Sequence, residues 1–180
     1  LGMIRSFNKS IERSTADFIV MITDDDPVEL NFLSTFNELY KKYPSYSVYA
    51  GFKRKGKKDS SIELISKDDF IFEILDPSKT SYLLWSSSVI RKSDALEVGI
   101  IPDYGSPHLA DHAFIAFAGS VNGGVIVNKM FSTLSSHDSN FSKFNFDYYI
   151  KGCEGFYLCM QSFLQKRGLF TEYKGIVSKH

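Results

Sequence analysis

Five consecutive apolar residues, Phe18-Ile19-Val20-Met21-Ile22, lead through Thr23 into Asp24, Asp25 and Asp26, with Pro27 directly behind them. A short β-branched apolar run of this kind fits a buried strand, so the acids must lie where that strand leaves its sheet. All three carboxyls ionise at neutral pH, and two carboxylates ~4 Å apart repel by about 4 kcal/mol at an effective dielectric near 20. Two arrangements could offset this. Asp26 could be the N-cap of a helix whose first residue is Pro27, but a carboxylate at a helix N-terminus gains only ~0.3–1 kcal/mol from the dipole. A divalent cation offsets more. In an extended chain Asp24 and Asp26 share a side and converge on one ion while Asp25 points away. Carboxylate oxygens favour magnesium, manganese or calcium over zinc.

Lysine plus arginine equals aspartate plus glutamate, 21 each in 180 residues, so no overall field draws the chain to nucleic acid. The length suits one core-forming domain. No apolar run approaches the ~20 residues that a membrane-spanning helix requires, and a soluble cytoplasmic location is expected. Because the sequence opens on Leu1 rather than methionine, it is expected to be part of a longer protein. Cys153 and Cys159 are six apart in a helical pattern and face different directions, which predicts reduced packing cysteines.

Steps of three and four between Leu1, Ile4, Phe7 and Ile11 predict a helix over 1–14, and the same spacing through Leu30, Leu33, Phe36 and Leu39 predicts one over 28–42, closed by Pro44. A strand is expected near 47–52, another near 62–65, and a short helix over 66–75 with Ser66 as its cap. Lys53, Arg54, Lys55, Lys57 and Lys58 around Gly56 read as the solvated tip between two strands, with a patch for phosphates or an anionic membrane surface as the functional alternative. The segment from Tyr82 to Lys92 reads as a strand entering a turn. Its Trp85 either stacks on a sugar or fills the core, and the core is the commoner fate. A helix over 109–118 carries Asp111 and His112, a strand follows at 125–127, His137 falls in a polar loop, and 146–167 is helical. Residues 1–145 are thus expected to form an α/β domain, with 146–180 a helical extension packed on it. The helix and strand rhythm implies a mixed, mostly parallel sheet flanked by helices, with ligands bound beyond the carboxyl ends of its strands.

In this order the features resemble the family 2 glycosyltransferases, nucleotide-sugar-dependent enzymes of the GT-A (Rossmann-like) fold. The residues that carry the likeness are the opening helix, Ala16 to Asp26 as a strand ending in an Asp-x-Asp-like motif, Ser86 to Arg91 as a small-residue strand running into a basic turn, Asp111, and Ser135-Ser136-His137-Asp138-Ser139-Asn140-Phe141-Ser142. Ala110 stands where the family commonly carries a glutamate, and the family's first two strand and helix units have no counterpart ahead of Leu1. The resemblance therefore implies an incomplete domain, inactive on its own if the missing part is essential.

The resemblance further implies metal-dependent transfer of a sugar, with inversion, from a nucleotide-diphosphate sugar to an acceptor hydroxyl in glycan or polysaccharide biosynthesis. A manganese or magnesium ion near Asp24 and Asp26 would stabilise the diphosphate leaving group. Asp111 would be the base that takes the acceptor's proton, although an acid in the first turn of a helix also has a purely structural role. Asp25 and His137 are candidate donor-binding residues, and His137 could equally be an exposed loop histidine. Trp85 and His112 are candidate acceptor contacts. The acceptor class implied is a glycan or lipid-linked glycan, with peripheral contact at the inner membrane face. Two other functions fit parts of the sequence. A metal-dependent hydrolase could gather His108, Asp111 and His112 on one helix face, and a degraded transferase could persist as a noncatalytic carbohydrate-binding or assembly module.

Overall fold

The computed structural model describes residues 2–23, 26–135 and 146–180, arranged as a five-stranded sheet between helical layers. In chain order the elements are α1 (Met3–Arg13), β1 (Phe18–Val20), α2 (Phe32–Lys42), β2 (Val48–Gly51), β3 (Lys53–Arg54), β4 (Ile62–Ile65), α3 (Phe70–Leu75), β5 (Thr80–Tyr82), a 3-10 turn (Trp85–Ser87), β6 (Ser88–Arg91), α4 (Lys92–Glu97), α5 (Ala110–Asn122), β7 (Gly124–Val127), α6 (Phe146–Lys166) and α7 (Phe170–Lys179). The sheet order is β1-β6-β2-β7-β4. Strands β1, β2 and β7 run one way, while β6 and β4 run against them. Only β2 and β7 are therefore parallel neighbours among the described strands, and the pairing is more antiparallel than the sequence rhythm predicts. The reason is local: β6 inserts between β1 and β2, pairing Ile90 with both Ile19 and Val48.

Period-two alternation sorts the core. Ile19, Val48, Ala50, Ile90 and Ile126 face one side of the sheet, where α1 and α5 pack through Ile4, Ile11, Phe114, Ile115 and Ala118. Phe18, Tyr49, Val89, Val125 and Val127 face the other side, against Phe32, Phe36, Leu39 and Tyr40 of α2. Helix α5 is buried on a second flank as well. Ala113, Ala116 and Phe117 meet Phe156, Met160 and Leu164 of α6 and Tyr173 and Val177 of α7. Burial on both flanks explains why α5 is apolar nearly all round. Close approach of α3 requires Gly119, where a Cβ would lie 2.1 Å from the Phe70 ring.

Three local expectations are corrected. Helix α2 starts at Phe32, not at Pro27, because the intervening residues pair with a distant segment: Glu29 N–H donates to Phe131 O (2.8 Å), Thr133 N–H donates to Pro27 O (3.1 Å), and Val28 bridges Ser132. Asp26 is accordingly no helix cap. Arg54 leaves the basic turn for the interior, where it is 5% exposed. Its guanidinium donates to Glu73 O, the Glu73 carboxylate, Thr80 Oγ1 and Glu63 Oε2. Finally, Ser66 and Asp69 bond reciprocally as a capping pair, yet regular helix begins only at Phe70.

Candidate functional site

Strands β1, β2 and β7 end on the same margin of the sheet, and the chain segments that leave them meet there. At the end of β1, Met21 is buried and Ile22 is exposed, so the chain turns out of the sheet. The Thr23 hydroxyl is buried with no hydrogen-bond partner among the described residues. Asp24 and Asp25 lie outside the described residues. Asp26 is 7% exposed, and its Oδ1 accepts the Ser135 N–H at 3.1 Å. One such bond occupies one of the about four lone-pair sites that an ionised carboxylate offers. Through it the acidic turn is tied to Ser135, the residue from which the serine and histidine segment begins. His137 itself lies outside the described residues.

Three consecutive serines build the floor between these segments. Ser86 Oγ and Ser132 Oγ are 2.9 Å apart, Ser87 Oγ donates to Gly51 O (2.8 Å) and accepts from Phe131 N–H (2.8 Å), and Ser88 Oγ donates to Trp85 O (2.6 Å). These hydroxyls pin the ends of β2 and β6 to the 131–132 turn. Sequence reasoning took them only as small residues. The available signal was polarity beside an apolar strand, since buried hydroxyls require partners. Gly51 belongs to the same joint, because a Cβ there would meet Lys129 O at 2.1 Å. Trp85 packs edge-on against Phe7 of α1, with ring centroids 4.9 Å apart, and joins the main core as a half-buried side chain.

Helix α5 runs toward the start of β7, so its N-terminal turn lies at the same sheet margin. Leu109, just before it, adopts φ 61°, a left-handed conformation uncommon for a bulky residue. Asp111 occupies the first turn. Its Oδ2 lies 3.9 Å from His112 Nε2, and each side chain is about one-fifth exposed. His112 Nδ1 lies 2.8 Å from His180 Nε2, and His180 Nδ1 is 2.9 Å from Leu75 O at the end of α3. Burial, reinforced by the neighbouring His112, pushes His180 down to about 4. His108 sits outside the helix. Its ring packs 4.2 Å from that of Tyr149, and burial lowers its pKa against the opposing pull of Asp111. Tyr104 donates to His108 O (2.7 Å), and burial together with the Asp111 charge raises its hydroxyl pKa.

Among the described residues, no three His, Cys, Asp or Glu side chains converge as a metal site. His108, Asp111 and His112 therefore do not form the ligand face that a metal-dependent hydrolase would need. A cleft of ≈ 450 Å³ opens beside this region, between Gly2–Arg5 at the start of α1, the loop Asp103–Pro107, and Tyr148. No helix among the described residues is long and apolar enough to cross a membrane.

No family model matches the sequence, and no curated protein matches it. A solved structure does: S. aureus TarS residues 1–349 in complex with UDP-GlcNAc superposes with a TM-score of 0.61 at 12% identity. The match covers 91% of this chain and 47% of that one, so the chain spans about half the length of its structural neighbour. The likeness establishes the fold, a mixed α/β sheet of GT-A type flanked by helices.

Proposed function

We propose that this chain carries the metal-side and acceptor-side elements of a glycosyltransferase that moves a sugar from a nucleotide-diphosphate sugar to an acceptor hydroxyl with inversion. The observation that carries the reading is the likeness of 91% of the chain to a protein whose structure holds UDP-GlcNAc. Two features support it: the run Asp24-Asp25-Asp26 that follows β1 in the sequence, and the tie from Asp26 to Ser135.

A manganese or magnesium ion suits the carboxylate donors of Asp24 and Asp26, and the orphaned Thr23 hydroxyl beside them leaves a polar atom for a bound ligand. Such an ion would supply electrostatic stabilisation of the diphosphate. The chain's own residues do the rest. Asp25 and His137 are assigned to the donor, and Trp85 and His112 to the acceptor side. Asp111 is assigned as the base: as the acceptor oxygen bonds to the anomeric carbon and the carbon–diphosphate bond breaks, its carboxylate takes the hydroxyl proton. Residues 1–145 would hold these groups, with 146–180 as the helical extension that supports α5. The acceptor class proposed is a glycan or lipid-linked glycan.

The test is a manganese-dependent screen of nucleotide sugars with the full-length protein. Turnover of one donor, lost in Asp24→Ala and reduced ~10²–10⁴-fold in Asp111→Asn, is the expected result. Unchanged turnover in both variants would sink the assignment. One observation favours a second reading, a noncatalytic module: Asp26 is buried and fastens a loop, which is a structural task. Sugar binding without turnover in the same screen would select it.

A further inference from the structure

The two histidines behind Asp111 have their protons fixed by a chain of partners that starts at a backbone carbonyl. Leu75 O is one of the carbonyls that the end of α3 leaves without a helical partner, and a carbonyl only accepts. His180 Nδ1 must therefore carry hydrogen, and in the neutral ring its Nε2 carries the lone pair. His112 Nδ1, 2.8 Å from that lone pair, must in turn be the donor. The one lone pair not engaged within this chain is then that of His112 Nε2, and it faces Asp111 Oδ2 across 3.9 Å. The depressed pKa of His180 agrees with its neutral role. The opposite polarity would set a His180 Nδ1 lone pair against the lone pairs of Leu75 O.

We propose that His112, held in its Nδ1–H tautomer by His180 and Leu75 O, is the proton outlet of Asp111. The proposal rests on the reading of Asp111 as the base. After Asp111 has taken the acceptor's proton, that proton passes to His112 Nε2, either through one bridging water or after a small rotation of the carboxylate. The result is an imidazolium beside a regenerated carboxylate. Loss of the same proton to solvent from the part-exposed ring returns both groups to their starting state, so no other reactant is required. His112 acts through Asp111 and is a positioning residue in this scheme. The other ionisable groups that act on this set are His108 and Tyr104 from the loop before α5, both of which feel the Asp111 charge, and Asp76 and Lys179, which adjoin Leu75 and His180 in the chain; Cys153 and Cys159 of α6 act on Tyr104.

Two measurements on the full-length protein test it. Imidazole nitrogen shifts at neutral pH should report Nδ1–H for both His112 and His180 in their neutral forms, and an Nε2–H tautomer at His112 overturns the proposal whatever the protein's activity. In the transfer assay, His112→Asn keeps a donor for His180 but cannot accept a proton. It should lower kcat roughly tenfold, less than the ~10²–10⁴-fold of losing the base itself because water still takes the proton from Asp111, with the donor KM unchanged, and added imidazole should restore part of the rate to His112→Ala. A kcat equal to that of the unmodified protein overturns the relay while leaving the transferase reading intact. Full activity in Asp111→Asn would instead remove the base, and the relay with it.

Discussion

Arg54 and Asp111 are both charged side chains set against the apolar body of α5 or its neighbours, but their surroundings differ in kind. Arg54 is almost wholly buried and grips two carboxylates, a hydroxyl and a backbone carbonyl. Lys79 completes the cluster from the rim, bonding Glu73 while lying 3.8 Å over the Phe72 ring. Burial alone would raise the Glu73 carboxyl, yet the bonds from Lys79 and Arg54 hold it below its ordinary range. Asp111, by contrast, has among the described residues one ion-pair contact, an imidazole Nε2 3.9 Å away that is charged only when protonated. Among the described residues, only Arg54 Nε and Glu63 Oε1 of the Arg54 cluster are buried without a partner. A charge held by many partners is locked into one geometry, whereas a loosely partnered one is available to a substrate. The first arrangement supports the fold and the second suits chemistry.

Breaking that contrast should have its largest effect at Arg54. Arg54→Met leaves Glu73 and Glu63 partly buried without their guanidinium, and should cost about 3–5 kcal/mol in chemical denaturation. A loss below about 1 kcal/mol would show the cluster to be ornamental. Next comes acid. His180 binds its proton near pH 6.5 when unfolded but only at about 4 when folded, so the unfolded state holds more protons between these values and stability must fall as pH drops through that window. The shift is worth on the order of 3 kcal/mol. His108, also lowered, adds to the same window. Glu73 works elsewhere: its folded pKa lies below 4.5, so its contribution is present above that value and disappears only at lower pH. Unfolding free energies measured between pH 7 and 3 should therefore show two separate descents, and His180→Gln should flatten the upper one. The smallest effect is expected at Asp111 itself. Asp111→Asn should change stability by less than about 1 kcal/mol, since the one ion-pair contact of Asp111 among the described residues is 3.9 Å long. A larger loss would make Asp111 a structural acid like Glu73.

Much of the fold was legible from spacing. The strands at 18–20, 48–51, 62–65 and 124–127, and the helices α1, α5 and α6, fall where apolar periodicity puts them. The bonds of Ser86 and Ser87 and the buried Arg54 were not legible, because they depend on partners 36 to 46 and 9 to 26 residues distant respectively. A basic residue in a lysine-rich turn looks solvated until two acids and a threonine arrive around it. Helix α2 misled for a similar reason. Val28, Glu29 and Leu30 fit helical spacing, but pairing with 131–133 takes Val28 and Glu29 for a bridge and leaves Leu30 fully exposed. Within the candidate site, the position of Asp26 beyond the end of β1 could be read directly. The histidine pair behind Asp111 could not, since His112 and His180 stand 68 positions apart and nothing in the sequence links them.

Local pattern by itself decided most of the main strands and helices, and on which face of the sheet their apolar side chains lie, because periodicities of two and of 3.6 are properties of the backbone alone. The strand order, the insertion of β6 against the direction of its neighbours, the tie of Asp26 to Ser135 and the tautomers of His112 and His180 were decided only when distant segments met. Each of those features is a hydrogen-bond partnership, and partners are chosen in space.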